Sequence, residues 1–368
     1  MISPPVKSVK LTEIAGIFGR LGLLGFGGPI AAIAMMEEEL SRRRGWVSIE
    51  RFTEMVTVCK MLPGPVSTQM AIYLGHSRAG VRGGLIAGSF FILPSFGLML
   101  ALSAWYVRLP VTHSAASVLG GMQVAALIVI FFSVYQLSKP YRSKPEAWVI
   151  AAVSAAVTCA WPGWEPLMIL GWGMLGILRS RRPVEVARIT LLLPLLFWVC
   201  FKAGAFVFGT GLAIVPLLEA DVVQKYGWLN HNQFMDGLAM GQVTPGPVVI
   251  TATFIGYLTA GMTGAMLATA GIFLPAFVNV LFVVPRVWNR FSGTPAAAGF
   301  TAWAIPAVVG GIAGSTVRLT WMTLTDIDRV SLFILCGLAA WRFRPPSWLL
   351  IPAAGLAGGL LALLKLSP

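Results

Sequence analysis

Long continuous apolar runs, broken by short charged punctuation, set the pattern of this chain. The apolar stretches fall at 11–36, 52–76, 83–107, 116–138, 146–161, 164–178, 189–218, 233–258, 264–285, 296–322, 329–341 and 347–366. Arg42-Arg43-Arg44, Lys139 to Lys144, Arg179 to Arg188, Arg286 to Arg290 and Arg342-Phe343-Arg344 are among the breaks between them. Runs this long, without period-two alternation, predict helices and not the strands of a barrel. A membrane helix needs about 20 apolar residues, so the pattern predicts an all-α integral membrane protein with about 10–12 membrane segments.

The pattern also repeats. Phe26-Gly27-Gly28-Pro29, Gly45-Trp46-Val47, Phe52, Glu54 and Leu62-Pro63-Gly64-Pro65 stand near the start. About 182 residues later come Phe208-Gly209-Thr210-Gly211, Gly227-Trp228-Leu229, Phe234, Asp236 and Thr244-Pro245-Gly246-Pro247. After a one-residue shift, Gly75, Gly80, Gly83 and Leu93-Pro94-Ser95-Phe96 meet Gly256, Gly261, Gly264 and Leu274-Pro275-Ala276-Phe277. Ordered identities at a near-constant offset indicate duplication. The predicted domains are a first repeat over 1–180 and a second over 181–368.

Loop charges give the orientation of the halves. The loop at 41–51 carries Arg42, Arg43, Arg44 and Arg51, whereas its counterpart at 222–233 carries only Lys225. The loop with Arg78 and Arg82 has an uncharged counterpart from Tyr257 to Thr263. The positive-inside rule places the first-half loops in the cytoplasm and the second-half loops outside, so the repeats are expected to be inverted. Both loops flanking 52–76 are basic, which a simple crossing does not give. A re-entrant hairpin with Pro63-Gly64-Pro65 at its tip accounts for both facts; a kinked spanning helix is the alternative.

Composition narrows the class. Of 368 residues, 57% are hydrophobic and 11% charged, against roughly 45–50% and 25% in soluble domains. A soluble enzyme, a nucleic-acid-binding domain and a disordered chain are excluded. The net charge of +13 reads first as cytoplasmic-loop bias and second as anion handling. Cys59, Cys159, Cys200 and Cys336 sit in apolar surroundings at no ligand spacing, beside only three histidines (His76, His113 and His231, all read as loop residues). No metal site and no cofactor is therefore expected. The N-terminus, with Pro4 and Pro5, shows no cleavable signal pattern. With no nucleophile–base pair, paired catalytic carboxylates or P-loop in view, the chain reads as neither an enzyme nor an ATP-driven pump.

The motifs suggest a site for an anion. Proline favours the first position of a helix, so Pro65 and Pro247 should open short helices near the middle of the membrane. A helix N-terminus carries free N–H groups and about half a positive charge, which suits an anion. Val66, Ser67 and Thr68 follow the first motif, and Val248 and Thr251 follow the second, with Thr244, Pro245 and Gly246 inside it. Pro-Gly-Pro that merely bends helices for packing is the alternative. The turns at Gly27-Gly28 and Gly209-Thr210 allow close helix approach or close approach to a ligand. Arg20 and Lys202 are cations at equivalent places inside apolar runs, where a charge costs about 2.5–3.5 kcal/mol. They read either as neutralising a dianion or as snorkelling to an interface. Lys60, whose counterpart is Gln242, is a third candidate. Glu54 and Asp236 are candidates to carry a coupling proton. Glu37-Glu38-Glu39 before Arg42-Arg43-Arg44 reads as a solvated helix end with i,i+3 and i,i+4 pairs.

These residues resemble the chromate ion transporter family in its two-domain, long-chain form. The resemblance rests on Gly25-Phe26-Gly27-Gly28-Pro29, Leu62-Pro63-Gly64-Pro65-Val66-Ser67-Thr68-Gln69, Phe91-Ile92-Leu93-Pro94-Ser95 and Gln242-Val243-Thr244-Pro245-Gly246-Pro247. It implies a bacterial inner-membrane protein that exports chromate and confers resistance, with sulfate as an analogous dianion. The family's first motif usually continues Ala-His; here Ile30-Ala31-Ala32-Ile33 follows Pro29, so no histidine role carries over. The expected function is alternating-access transport of chromate or sulfate around a mid-membrane site. A passive anion channel and a transporter of other anions remain as alternatives. The expected partners are the dianion and the lipid bilayer, with no nucleic acid and with a homodimer left open.

Overall fold

The structure, a computed structural model, describes residues 10–26, 28–109, 113–161, 164–178, 192–207, 211–288 and 295–366. The first half comprises α1 (Leu11–Leu24), α2 (Gly28–Met36), α3 (Ile49–Met61), α4 (Val66–Arg108), α5 (His113–Ser138), α6 (Pro145–Ala160) and α7 (Glu165–Leu178). The second comprises α8 (Leu192–Ala205), α9 (Ile214–Glu219), α10 (His231–Val243), α11 (Thr251–Val278), α12 (Pro295–Thr323), α13 (Ile327–Phe343) and α14 (Ser347–Leu366). The repeat reaches the backbone angles. α4 breaks at Ala79 (φ −141°, ψ 30°) and Gly80 (φ 59°, ψ −151°); α11 breaks at Ala260 (φ −147°, ψ 32°) and Gly261 (φ 59°, ψ −147°). Positive φ explains the glycine at each break.

The first four helical legs of each half are hairpins that enter and leave on one side. Glu13 near the start of α1 pairs with Arg44 beyond α2 at 3.2 Å. In the second half Lys202, in the last turn of α8, pairs with Asp221 beyond α9, so these two legs lie side by side. Phe52, Met55 and Cys59 of α3 cluster with Met70 and Leu74 on the return leg of α4. In α10, Gly237 lies against the Phe254 ring and Gly241 against Thr251. Each leg has 13 or 14 residues in α1, α3, α8 and α10. That is about 20 Å, short of a bilayer core of about 30 Å. The re-entrant reading of 52–76 thus fits. α1 with α2 and α8 with α9 pair as hairpins too, so several of the predicted membrane segments are hairpin legs. Among the described residues four helices are long and apolar enough to cross: Val66–Arg108, Ala115–Tyr141, Val248–Pro285 and Ala302–Thr323. Shorter apolar helices include Pro145–Ala160 and Ser347–Ala362.

Helix directions fit inverted halves. Gly84 meets Leu281 while Gly88 meets Phe277, so the equivalent second legs of α4 and α11 cross antiparallel. Ala151 meets Gly310 and Ala155 meets Gly314, so α6 runs parallel to α12. Gly121 meets Ala354 and Ser117 meets Gly358, so α5 runs antiparallel to α14. A two-fold axis in the membrane plane produces all three relations; an axis along the membrane normal would reverse them.

Two bodies result. The hairpins and second legs, α1–α4 with α8–α11, pack together around the α4–α11 crossing. The remaining helices interlock, with α12 of one half against α6 and α7 of the other, and α5 against α13 and α14. The bodies meet where α10 packs on α5 and α14 and where α9 touches α12 and α7. The charged helix end also differs in detail from expectation. Residues 37–43 form a π-helical turn, which adds shorter i,i+5 pairs, Arg42–Glu37 at 2.8 Å, Arg43–Glu38 at 3.0 Å and Arg44–Glu39 at 2.7 Å, to the expected i,i+4 pairs, Arg42–Glu38 at 3.8 Å and Arg43–Glu39 at 4.0 Å. His76 lies within α4, and His113 and His231 open helices instead of lying in loops.

Candidate functional site

The four hairpin tips meet in pairs across the halves. The Gly246 amide donates to the Gly25 carbonyl at 2.9 Å, and the Gly64 amide donates to the Val207 carbonyl at 2.6 Å. Each Pro-Gly-Pro tip is therefore bonded to the first hairpin tip of the opposite repeat. Gly64 (φ 131°) and Gly246 (φ 94°) hold backbone angles that side-chain-bearing residues rarely adopt. The first tip is tied further: Gln69 Nε2 and Asn279 Nδ2 both donate to the Pro63 carbonyl, at 2.7 and 2.6 Å.

The helix starts lie where the prolines predict. Val66 opens the first leg of α4 after Pro65. Val248 opens a 3₁₀ turn after Pro247 that leads into α11. Gly28, followed by Pro29, opens α2. The first amides of a helix have no intrahelical acceptor, so these starts aim unpaired donors at the tips. Around them sit polar side chains sealed from the surface: Ser67 (1% exposed), Thr68 (0%), Ser95 (0%) and Gln242 (4%). Their hydroxyls, and both amide atoms of Gln242, have no hydrogen-bond partner among the described residues. Buried polar atoms cost about 1–3 kcal/mol each when unpaired, so this cluster can accept hydrogen bonds from, and donate them to, water or another polar guest. Thr244 and Thr251 donate to their own helix, at Gly241 and Val248.

A cavity of about 620 Å³ leads to this centre. Pro29, Leu212, Gln242 and Val248 line it near the tips, and Ser133 and Gln136 line it along α5. Lys139 and Arg344, at the ends of α5 and α13, line its outer part. Both cations belong to basic segments that the positive-inside rule assigns to the cytoplasm.

Away from this cavity lie a buried ion pair and a buried acid. Arg318 of α12 bonds the fully buried Glu219 carboxylate, whose other oxygen accepts from Gln224 at 2.9 Å. Arg318 keeps Nε and Nη1 without partners. Asp236, 4% exposed, accepts from Tyr106 Oη and Gln123 Nε2, both at 2.8 Å. It lines a second cavity of about 500 Å³ with Arg329.

The structure thus sorts the candidate residues. It brings Pro63, Gly64, Pro65, Val66, Ser67, Thr68, Gln242, Thr244, Pro245, Gly246, Pro247, Val248 and Thr251 to the meeting of the tips. Gly28 opens α2 there, while Gly27, Gly209 and Thr210 lie outside the described residues. Lys202 is held by Asp221. Arg20 lies in a groove between α1 and α2 with Glu38, Glu39 and Arg43. Lys60 is exposed on the outer face of α3. Glu54 is exposed and paired with Arg51 at 2.7 Å, unlike its counterpart Asp236. Sequence reasoning missed Arg318, although a lone charge within 296–322 is the signal that singled out Arg20. It also missed Gln123 and Tyr106, ordinary residues in apolar runs.

Known proteins can be set beside this geometry. The family model described as chromate transporter matches residues 12–177 and again 195–359. A chromate transport protein of Cupriavidus metallidurans is 34% identical over 374 residues, covering 96% of this chain and 93% of its own. A chromate transport protein of Pseudomonas aeruginosa is 31% identical over 392 residues, covering 97% and 93%. The uncharacterized transporter YwrA of Bacillus subtilis is 33% identical over 173 residues, which are 45% of this chain but 94% of YwrA. No solved structure matches. With two family matches that coincide with two hairpin-built halves, this chain belongs to the chromate transporter family and is a multi-pass membrane protein.

Proposed function

We propose that the protein exports chromate across the bacterial inner membrane by alternating access, with sulfate as a binding analogue. The observation that carries this reading is Gln242. Its amide is buried, without a partner on either atom among the described residues, and lines a cavity that Lys139 and Arg344 also line. Beside it the helix start at Val248 offers backbone donors.

A tetrahedral dianion fits such a site. Neutral donors and helix ends attract it without a full countercharge, so binding stays weak enough for release. Lys139 and Arg344 concentrate anions at the mouth. The buried Glu219–Arg318 pair, away from this cavity, favours a carrier over an open pore. The membrane potential supplies about 2.3 kcal/mol per charge per 100 mV. A dianion leaving a negative cell thus gains about 4.6 kcal/mol per 100 mV, enough for a gradient on the order of 10³. In this reading Lys202 stabilises its hairpin, and Arg20 is a surface cation. Asp236 is the better placed of the two acids to carry a coupling proton.

The test is chromate uptake into proteoliposomes under an imposed, interior-positive voltage. Wild-type uptake should saturate and be inhibited by sulfate, and Gln242→Leu should lower it at least tenfold. Non-saturating flux, or a Gln242→Leu protein with wild-type uptake, would overturn the reading.

A further inference from the structure

The two halves share a fold but do not share surroundings. α10 is covered: its positions Met235, Asp236, Ala239 and Gln242 are buried under α5 and α14. The equivalent positions on α3 are Thr53, Glu54, Thr57 and Lys60, and all four are exposed, together with Glu50. These residues recur at i, i+3, i+4 and i+7, so they form one polar stripe along a re-entrant helix. α3 itself packs against its own return leg and the end of α2. Lys60 stands three residues from the tip at Pro63, at a depth where lipid would impose a cost of about 2.5–3.5 kcal/mol on a charge. A lipid-facing role for this stripe is therefore disfavoured.

We infer that the stripe is the docking face of the opposite transport state, and that its occupant is this chain's own α12 and α7. The pseudo-two-fold that relates the halves carries the contact of α10 with α5 and α14 onto a contact of α3 with α12 and α7. In the state described above, the second-half hairpins are docked and the cytoplasmic cavity reaches the tips. Exchanging the roles docks the first-half hairpins, closes the cytoplasmic path and frees Arg318 from Glu219. The hairpin body thus moves as a unit against the interlocked helices, and the four bonded tips travel with it. This inference rests on the alternating-access reading and names its moving part.

Equivalence fixes the test. Gln123 on α5 touches Asp236 on α10; the ends of the two family matches, 177 and 359, return the offset to 182, so the mates of these residues are Ile305 on α12 and Glu54 on α3. A Glu54→Cys/Ile305→Cys protein, in a Cys159→Ser background, is oxidised without chromate, because chromate itself attacks thiols. Disulfides need Cα atoms within about 7 Å, so the bond reports docking directly. An intramolecular cross-link should form, and sulfate-inhibitable chromate uptake should fall at least tenfold in the oxidised protein and return on reduction. A second pair, Thr57→Cys/Trp172→Cys, derived in the same way, should behave alike if the first fails to fold. Absence of an intramolecular cross-link in both pairs, with uptake intact under reduction, overturns the inference. A covalent dimer from Glu54→Cys alone also overturns it, assigning the stripe to a second copy. A cross-link in a protein whose parent carries no chromate would uphold the motion and defeat the functional reading, so the two failures are separable.

Discussion

Gly246→Ala tests whether the bonded tips position the site. The substitution removes no hydrogen-bonding group, so any effect is geometric. Gly246 sits at φ 94°, where a side chain costs about 1–3 kcal/mol. The new Cβ would also overlap Ser95 Oγ, a buried atom; overpacking of this kind costs about 1–3 kcal/mol. The total, about 2–6 kcal/mol, should lower Tm by roughly 3–8 °C in a chain of this length. Displacement of the Gly246 amide from the Gly25 carbonyl should lower chromate uptake at least tenfold, which needs only about 1.4 kcal/mol of lost site energy. Ser95→Ala clears the overlap, since the next neighbour, Ser95 Cβ, is 3.4 Å away. The double variant should recover the overpacking share but not the backbone share. Gly261→Ala is the control: φ is 59° with nothing near its Cβ, so it should cost only about 1–2 kcal/mol and spare uptake. Purified variants in detergent give Tm, and proteoliposomes give uptake. An unchanged Gly246→Ala protein, or no gain at all from Ser95→Ala, would refute the tip-to-tip account.

Three further outcomes are expected. Glu219→Gln or Arg318→Gln alone leaves one charge buried, so each should destabilise by about 3–5 kcal/mol, whereas the double variant should be milder; equal thermal losses in all three would remove the pair. Lys139→Gln with Arg344→Gln should raise the KM for chromate a few-fold at low salt and little at high salt, and a salt-independent change would exclude steering. Asp236→Asn should abolish acceleration of uptake by an imposed pH gradient while Glu54→Gln keeps it; identical responses would withdraw the proton assignment from Asp236.

The turns were the legible part of this molecule. Proline and glycine act through local backbone rules, so Pro63-Gly64-Pro65, Gly80 and their second-half mates point to breaks without knowledge of any contact. Loop arginines act through the membrane's charge asymmetry, so inversion was legible as well. The fate of Lys202 was not. Its partner Asp221 lies on the neighbouring leg, and only folding of the hairpin brings the two together. The same holds for Asp236, whose partners Tyr106 and Gln123 come from the other half of the chain. Composition identified two equivalent acids, Glu54 and Asp236, but their environments differ because one hairpin is docked and the other is not. Which hairpin is covered depends on packing across the two halves, which no residue pattern encodes. The π turn at 37–43 escaped for a smaller reason: an i,i+5 pairing differs from i,i+4 by one residue of winding.

The anomalous scattering of chromium, measured from crystals grown with chromate, locates the cargo without ambiguity. The account predicts a peak at the tips, within hydrogen-bonding reach of the Gln242 amide and the Val248 helix start. A peak only beside Arg20 or elsewhere on the surface, with the tips empty, would contradict it.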